Sequence, residues 1–283
     1  MLLIYLDQNA VIYLEQAVND PSFRPKLEAA IRSGKLTVVV SSWHLIETAK
    51  TTDVAKAVRL AEFIESLRPI WLLERHNIQT LEVREDFYRF AKLEFVETPR
   101  LGTLSYVIAT LNGEKESPKY NIAPRAFVEQ WIRHPEQFDV LNKSHENNAK
   151  ALDGLRRAVK DGKMTDEVRK QADRVFLKSV LPVTTPHGLQ IPRELALDYV
   201  ERGDITSIPT RAIEQAISDH EWKNKGRTDA NSLIDKFHLI PALQYVDEIV
   251  SDDKFLHKLY PVAAKTKHVR AKLLRFDEFL KRF

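Results

Sequence analysis

Short apolar runs alternate with stretches of helical spacing at the start of the chain. Residues 2–6 and 36–40 are aliphatic or aromatic at nearly every position, which is typical of strands buried in a parallel sheet. Apolar residues recur at helical spacing over 10–17 and 26–33, and Gly34 marks the end of the second stretch. This pattern predicts a strand, two helices and a second strand.

The alternation continues through one more unit and then lapses. Residues 54–67 predict a helix, and 70–73 predict a third short strand. From about 78 to 226 the pattern is amphipathic and helical, as over 81–95 and 125–132, with proline-bearing turns between the helices. Strand signals are nearly absent from this middle segment.

The alternation returns at the carboxyl end. Residues 231–245 predict a helix, 248–250 a buried strand and 253–259 a short helix. A closing strand is expected over 269–274, followed by a helix over 277–283. Because crossovers between parallel strands are right-handed, the strands from both ends of the chain can lie side by side in one sheet.

The predicted fold class is therefore α/β, with a mostly parallel central sheet. We expect residues 1–75 and 227–283 to form the sheet-bearing core. Residues 76–226 would then form a helical insertion or cap subdomain beside the active edge of the sheet. A chain of 283 residues is long enough for such an arrangement.

The composition restricts which metal ligands the protein can use, but it does not identify a binding partner. Lys and Arg number 43 and Asp and Glu 40, so the net charge of +3 does not by itself indicate a nucleic-acid partner. The absence of cysteine excludes disulfides, iron–sulfur clusters and thiolate zinc, so any metal must be bound by oxygen or imidazole. No apolar run approaches the roughly 18 residues of a membrane helix. A cytoplasmic protein with no membrane partner is therefore expected.

Acidic residues stand where predicted strands end or helices begin. Asp7 follows the first strand, Glu47 lies on the helix after the second, and two later acids, Asp235 and Asp253, flank the late helix and strand. Because the carboxyl ends of parallel strands meet at one edge of the sheet, we expect these acids to converge. Mg²⁺ and Mn²⁺ prefer oxygen ligands, and two ions about 3.5–4 Å apart can activate a water and stabilise a leaving oxygen. The four acids are the predicted catalytic and metal-binding residues.

The segments that contain these acids also follow an ordered set of motifs. In chain order the motifs are Asp7-Gln8-Asn9, Ser41 with Glu47, and Asp235 followed by Ser251-Asp252-Asp253. In these motifs the chain resembles the PIN-domain family of metal-dependent nucleases, over roughly residues 1–73 and 229–283. Gln8 stands where Thr is common in that family, and Asp252 where Asn is common. The second departure leaves the fourth acid open between Asp252 and Asp253.

The resemblance implies a PIN-like three-layer α/β/α fold and an Mg²⁺- or Mn²⁺-dependent endoribonuclease. It implies that Asp7, Glu47 and Asp235 are the main metal ligands, with Asp253 as the fourth acid. The residues expected to support these acids are Asn9, Ser41, Ser251, Asp252 and His238. The implied substrate is RNA, for which a structured RNA such as tRNA is one candidate. A role as a toxin or defence ribonuclease is compatible with this activity.

One basic segment with an aromatic residue is the predicted nucleic-acid-binding site. It contains Trp222, Lys223, Lys225 and Arg227, just before the helix of Asp235. An aromatic ring can stack on a base while neighbouring cations contact phosphates.

Each of these assignments has an ordinary structural alternative. Asp7 and Asp253 can cap helices, and Glu47 can lie on a solvated helix face. Asp235 can be a first-turn acid favoured by the helix dipole, and His238 can be a hydrogen-bonded core residue. Functional alternatives are a structure-specific DNA nuclease, for which DNA is the less favoured substrate, and a non-catalytic RNA-binding or scaffold protein. A homodimer is compatible with all of them.

Overall fold

The residues that the structure describes fold around a six-stranded sheet. A computed structural model describes residues 1–17, 22–202, 204–223 and 239–283. The strands are β1 (Leu2–Leu6), β2 (Leu36–Ser41), β3 (Ile70–Leu72), β4 (Leu101–Gly102), β5 (Glu248–Val250) and β6 (Lys272–Leu274). They lie in the order β4-β3-β2-β1-β5-β6, and only the β3–β4 pair of this sheet is antiparallel. The fold is therefore α/β with a mostly parallel sheet, as the sequence predicts.

Helices connect the strands. In the described ranges they are α1 (Gln8–Ala17), α2 (Arg24–Arg32), α3 (Ser42–Ala49), α4 (Val54–Ser66), α5 (Arg75–Phe90), α6 (Leu104–Leu111), α7 (Pro124–Arg133), α8 (Glu136–Lys160), α9 (Asp166–Val180), α10 (Arg193–Arg202), α11 (Pro209–Lys223), α12 (239–245), α13 (Lys254–Ala263) and α14 (Phe276–Leu280). This content is broadly consistent with a three-layer α/β/α arrangement. None of the helices in these ranges is long and apolar enough to cross a membrane.

The two ends of the chain meet in the middle of the sheet. Ile4 of β1 pairs with Val38 of β2 on one side and with Glu248 of β5 on the other. Ile4, Tyr5 and Leu6 are at most 1% exposed, because a parallel strand between two others is covered on both faces. The residues that follow β1 and β5 are consequently neighbours at the carboxyl edge of the sheet.

The middle of the chain shares this core. β4 lies within residues 76–226 and pairs with β3, while Val128 of α7 and Ile213 of α11 are buried in the main hydrophobic cluster. A second buried cluster, which includes Phe87 and Tyr199, forms among residues of this middle segment itself. The helical segment therefore both packs on the sheet and has a core of its own.

Several element boundaries differ from the predicted ones. α5 begins six residues before position 81 and ends at Phe90, shortly before Lys92, whose φ of 55° is a left-handed conformation that helices do not continue through. β6 occupies the last three residues of the strand expected over 269–274. The pattern does not predict β4, because a two-residue strand shows no periodicity. The structure describes the helix expected over 231–245 only from residue 239.

Candidate metal centre at the carboxyl edge of the sheet

β1 delivers Asp7 to the carboxyl edge of the sheet. Its N–H donates to Val250 O over 3.1 Å, which fixes the backbone beside the end of β5. Asp7 Oδ1 accepts a hydrogen bond of 2.6 Å from Ala10 N in the first turn of α1, in the manner of a capping residue. Asp7 Oδ2 accepts a hydrogen bond from the hydroxyl of Ser251. The carboxylate is therefore held in one orientation by both of its oxygens.

Ser251 connects the ends of neighbouring strands. It is fully buried just after β5, and its hydroxyl donates to Asp7 and accepts a hydrogen bond of 3.0 Å from Asp253 N. Its own N–H donates to Leu274 O at the end of β6 over 3.0 Å. Contacts of this kind orient metal-binding carboxylates in other proteins.

The two adjacent acids after Ser251 have different positions. Asp253 Oδ1 accepts hydrogen bonds from Phe255 N (2.5 Å) and Leu256 N (3.0 Å), so Asp253 is the N-cap of α13. Asp252 Oδ1 accepts a hydrogen bond of 3.2 Å from Phe276 N at the start of α14. Asp252 thus stabilises the carboxyl-terminal helix, and of the two acids it is Asp253 that lines the cleft described next.

Acids from three separate stretches of the chain line a single cleft. Asp7 after β1, Glu47 on α3 and Asp253 at the start of α13 border a space of about 220 Å³, together with Asn9 in the first turn of α1. We refer to this space as the acidic cleft. Leu239 of α12 contributes an apolar wall. The cleft lies at the strand ends where open α/β sheets place their ligands.

Ser41 and His44 stabilise the edge of the sheet beside the cleft. His44 Nδ1 accepts a hydrogen bond of 3.0 Å from Ser41 N, which assigns the proton to Nε2, and Nε2 donates to Leu6 O over 2.6 Å. Burial lowers the pKa of His44 to about 4, so the ring is neutral at physiological pH. The Ser41 hydroxyl lies 3.3 Å from both Tyr5 OH and His44 Nδ1. Ser41 therefore supports the β1–β2 junction, and the structure gives it no hydrogen bond to an acid of the cleft within the described residues.

The surroundings of Asp7 disfavour its negative charge. Burial raises the pKa of Asp7 to about 6, although hydrogen bonds from Ser251 and Ala10 act in the opposite direction. The negative charges of Asp253 and Asp252 raise it further. A cation beside Asp7 would offset both the desolvation and the repulsion, so the ionised carboxylate is most stable with a positive charge close to it.

The chemistry of the donors fits Mg²⁺ or Mn²⁺ because the cleft presents carboxylate and amide oxygens. Within the ranges that the structure describes, however, no three His, Asp or Glu side chains converge closely enough to hold an ion. Asp235, the predicted third ligand, and His238 both lie outside the described residues. The structure thus brings Asp7, Glu47 and Asp253 to one cleft without showing them around a common point.

The predicted nucleic-acid-binding segment falls largely outside the described residues. Trp222 and Lys223 are the last two residues of α11, but their side chains are not part of the described structure. Lys225 and Arg227 lie in the range 224–238, which is also outside it.

Two residues beside the cleft were not singled out by the sequence pattern. Trp43, in the first turn of α3, lines the acidic cleft, and its indole N–H donates to Glu74 Oε2 over 2.5 Å. Glu74 follows β3 and also accepts a hydrogen bond from the Ser42 hydroxyl. Burial raises the pKa of Glu74 to about 7 despite these two hydrogen bonds. The available signal was the position of Glu74, an acid that follows a buried strand just as Asp7 does.

Comparisons with known proteins add no further information about this site. No protein-family model matches the chain. No curated protein and no solved structure matches it either. The residues of the acidic cleft are therefore the basis for proposing a function.

Proposed function

We propose that this chain is a PIN-like endoribonuclease that hydrolyses RNA phosphodiesters with Mg²⁺ or Mn²⁺ bound in the acidic cleft. The observation that carries the proposal is that Asp7, Glu47 and Asp253 line one cleft at the carboxyl edge of a mostly parallel sheet. Three acids gathered beside buried strands are costly unless a cation or a proton neutralises them. The absence of cysteine fits a cytoplasmic enzyme that uses oxygen ligands.

The residues of the cleft divide into ligands and supports. Asp7, Glu47 and Asp235 would bind the metal, and Asp253 would be the fourth acid. Since Asp253 Oδ1 receives two backbone N–H groups, Oδ2 is the oxygen available to a cation or to a bound water. Ser251 holds the Asp7 carboxylate, and the neutral His44 holds the end of β1 without adding charge. When bound, the metal supplies an activated water and neutralises charge on the phosphate.

A second candidate is a non-catalytic RNA-binding or scaffold protein. It is favoured by the observation that no three potential ligands converge within the described ranges. This candidate predicts that Mn²⁺ leaves the melting temperature unchanged and that replacing the acids leaves RNA binding intact. A DNA nuclease would use the same acids and differs only in its substrate.

The test is cleavage of matched RNA and DNA oligonucleotides by the purified protein. We expect cleavage of RNA with Mn²⁺ or Mg²⁺ and none with EDTA, and we expect Asp7→Asn and Glu47→Gln to abolish it. Asn is itself a good helix cap, so Asp7→Asn preserves the cap of α1 while it removes the charge. Glu65→Gln, an exposed acid on α4, is the matched control and should retain full activity.

Three results would contradict the proposal in different ways. Wild-type activity in Asp7→Asn would exclude the acidic cleft as the catalytic site. Cleavage of DNA alone would transfer the assignment to a DNA nuclease. Binding of RNA without cleavage by any metal-loaded sample would favour the scaffold.

A further inference from the structure

Trp43 introduces an aromatic surface into the acidic cleft. Its side chain is half-buried and lines the cleft together with Asp7, Glu47 and Leu239. A cleft that only had to bind a hydrated cation and a phosphate would need polar groups alone. The indole and Leu239 instead give this cleft apolar walls beside its acids.

The orientation of Trp43 is fixed by Glu74, a half-buried acid between β3 and α5. The indole N–H donates to Glu74 Oε2, and Glu74 Oε1 is held in turn by the Ser42 hydroxyl. Glu74 sits directly before α5, so the contact joins the start of α3 to the end of β3. An aromatic ring that is held before the ligand arrives loses little conformational entropy on binding.

Trp43 and Glu47 occupy the same face of α3. Residues four apart on a helix are neighbours on its surface, so the indole lies about one turn from the proposed metal ligand. One nucleotide has comparable dimensions: its base and its phosphate are separated by a single ribose. A phosphate at the acids would therefore leave the adjacent base close to the indole.

We propose that Trp43 stacks on the nucleobase next to the scissile phosphate, with Glu74 as the residue that positions its ring. This inference rests on the proposed function and specifies the substrate class: single-stranded RNA, in which the base is free to leave its neighbours and lie on an aromatic side chain. A base inside a continuous duplex is already stacked and paired, and it cannot reach Trp43 without opening.

Binding is measured first, because it does not depend on cleavage. A short single-stranded RNA is titrated with Ca²⁺ present, and both fluorescence anisotropy and intrinsic tryptophan emission are recorded. We expect quenching of the emission in the wild-type protein and a smaller quenching in Trp43→Phe. Trp43→Leu should bind roughly 5- to 150-fold more weakly, the range typical of one lost base–aromatic stack. The same RNA with an abasic site at the stacked position should bind wild-type protein and Trp43→Leu equally.

Cleavage kinetics with Mn²⁺ then distinguish the loss of base stacking from a general loss of folded protein. Trp43→Leu should raise KM for single-stranded RNA, and Trp43→Phe should recover much of the loss because it retains a ring. Glu74→Gln keeps an oxygen acceptor for the indole and should behave like wild type, whereas Glu74→Ala should raise KM. Phe90→Leu, an exposed aromatic residue at the end of α5, is the control and should change neither constant. Melting curves verify that each variant is folded.

The inference and the proposed function fail in distinguishable ways. An unchanged affinity and KM in a folded Trp43→Leu, or equal use of duplex and single-stranded RNA, overturns the stacking role while metal-dependent cleavage still stands. If no substrate is cleaved, the proposed function fails, and the quenching and abasic-site measurements still decide whether Trp43 stacks on a base.

Discussion

At the scale of single residues, the contact between Ser251 and Asp7 orients one acid of the cleft. The buried hydroxyl donates to the Asp7 carboxylate and simultaneously accepts from Asp253 N. We predict that Ser251→Ala lowers the Mn²⁺ affinity by about 10- to 100-fold, because the carboxylate loses the group that orients it. Unfolding free energy should fall by about 1–3 kcal/mol, since the half-buried Asp7 carboxylate loses one of its hydrogen bonds.

Isothermal titration with Mn²⁺ and urea denaturation measure these two effects. Ser66→Ala is the control, because the Ser66 hydroxyl bonds only locally to Phe63 O in an exposed turn at the end of α4. A Ser251→Ala protein that is less stable but binds Mn²⁺ as wild type does would show that the serine has a structural role alone.

Glu74 gives a prediction about pH. Its pKa is about 7 in the folded protein and 4.5 in an unfolded chain, so the folded state holds a proton that the unfolded state has released. The stability contributed by this proton is complete below about pH 4.5 and is lost as the pH rises through about 7. Glu74→Gln cannot titrate, and the decrease in unfolding free energy between about pH 5 and pH 8 should be smaller in this variant.

Urea denaturation across that pH range is the measurement, with Glu65→Gln as the exposed control on α4. An identical pH slope in Glu74→Gln and wild type would show that Glu74 is ionised in the folded protein.

Some residues of the cleft can be predicted from the sequence, whereas others depend on contacts that form only when the strands pair. Asp7, Glu47 and Asp253 are recognisable because each follows a buried strand or lies on the helix after one. The bonds of His44 and Trp43 cannot be read from the chain, because their partners Leu6 and Glu74 become neighbours only when the strands pair. The contacts of Ser41 could not be predicted for the same reason, since its hydroxyl lies beside Tyr5 and His44 rather than beside an acid.

At the scale of elements, Asp253 both caps α13 and lines the acidic cleft. Asp253 caps the helix through Oδ1 and lines the cleft, so its two roles can be separated by substitution. Asp253→Asn should retain the cap and the stability but weaken Mn²⁺ binding, because Asn caps helices about as well as Asp and has no charge. Asp253→Ala should lose both, with a decrease in stability of about 0.5–2 kcal/mol.

Thermal melting with and without Mn²⁺ measures both effects. Asp53→Ala removes the equivalent cap of α4, where Asp53 Oδ1 accepts from Lys56 N, and should lower stability without changing the shift caused by Mn²⁺. An Mn²⁺-induced shift of wild-type size in Asp253→Asn would leave Asp253 as a helix cap only.

Elements were predictable where their pattern was long enough. β1 and β2 are identified by nearly continuous apolar runs, which follow from burial on both faces. β5 is marked only by Ile249 and Val250 ahead of the polar residues 251–253. β4 was not predicted because it depends on tertiary pairing with β3. The end of α5 was not predicted because it depends on the left-handed conformation of Lys92.

At the scale of the whole molecule, residues 76–226 are joined to the sheet by hydrogen bonds as well as by the chain itself, because β4 pairs with β3. Glu85 on α5 and Arg100 beside β4 form a buried ion pair with bonds of 2.6 and 2.7 Å, and Leu73 N donates to Arg100 O over 2.9 Å. Arg100→Ala would leave the Glu85 charge unpaired, at a cost of about 3–5 kcal/mol. Because the middle segment shares the main core, we expect one melting transition that moves as a whole.

Calorimetry tests this prediction. Two separate transitions, with only one of them shifted by Arg100→Ala, would show that residues 76–226 unfold independently of the sheet. Arg125→Ala, which removes exposed ion pairs with Glu62 and Glu129, is the control and should change stability by less than about 1 kcal/mol.

We have proposed that the distant ends of the chain assemble a cation site at the carboxyl edge of the sheet. The most direct test is a crystal structure of the protein soaked in Mn²⁺, with anomalous diffraction used to locate the ion. We expect an anomalous peak in the acidic cleft, bonded to carboxylate oxygens of Asp7 and Glu47 and completed by Asp235 or Asp253. A cleft without a peak at saturating Mn²⁺, or a peak bound elsewhere while these acids stay apart, would contradict it.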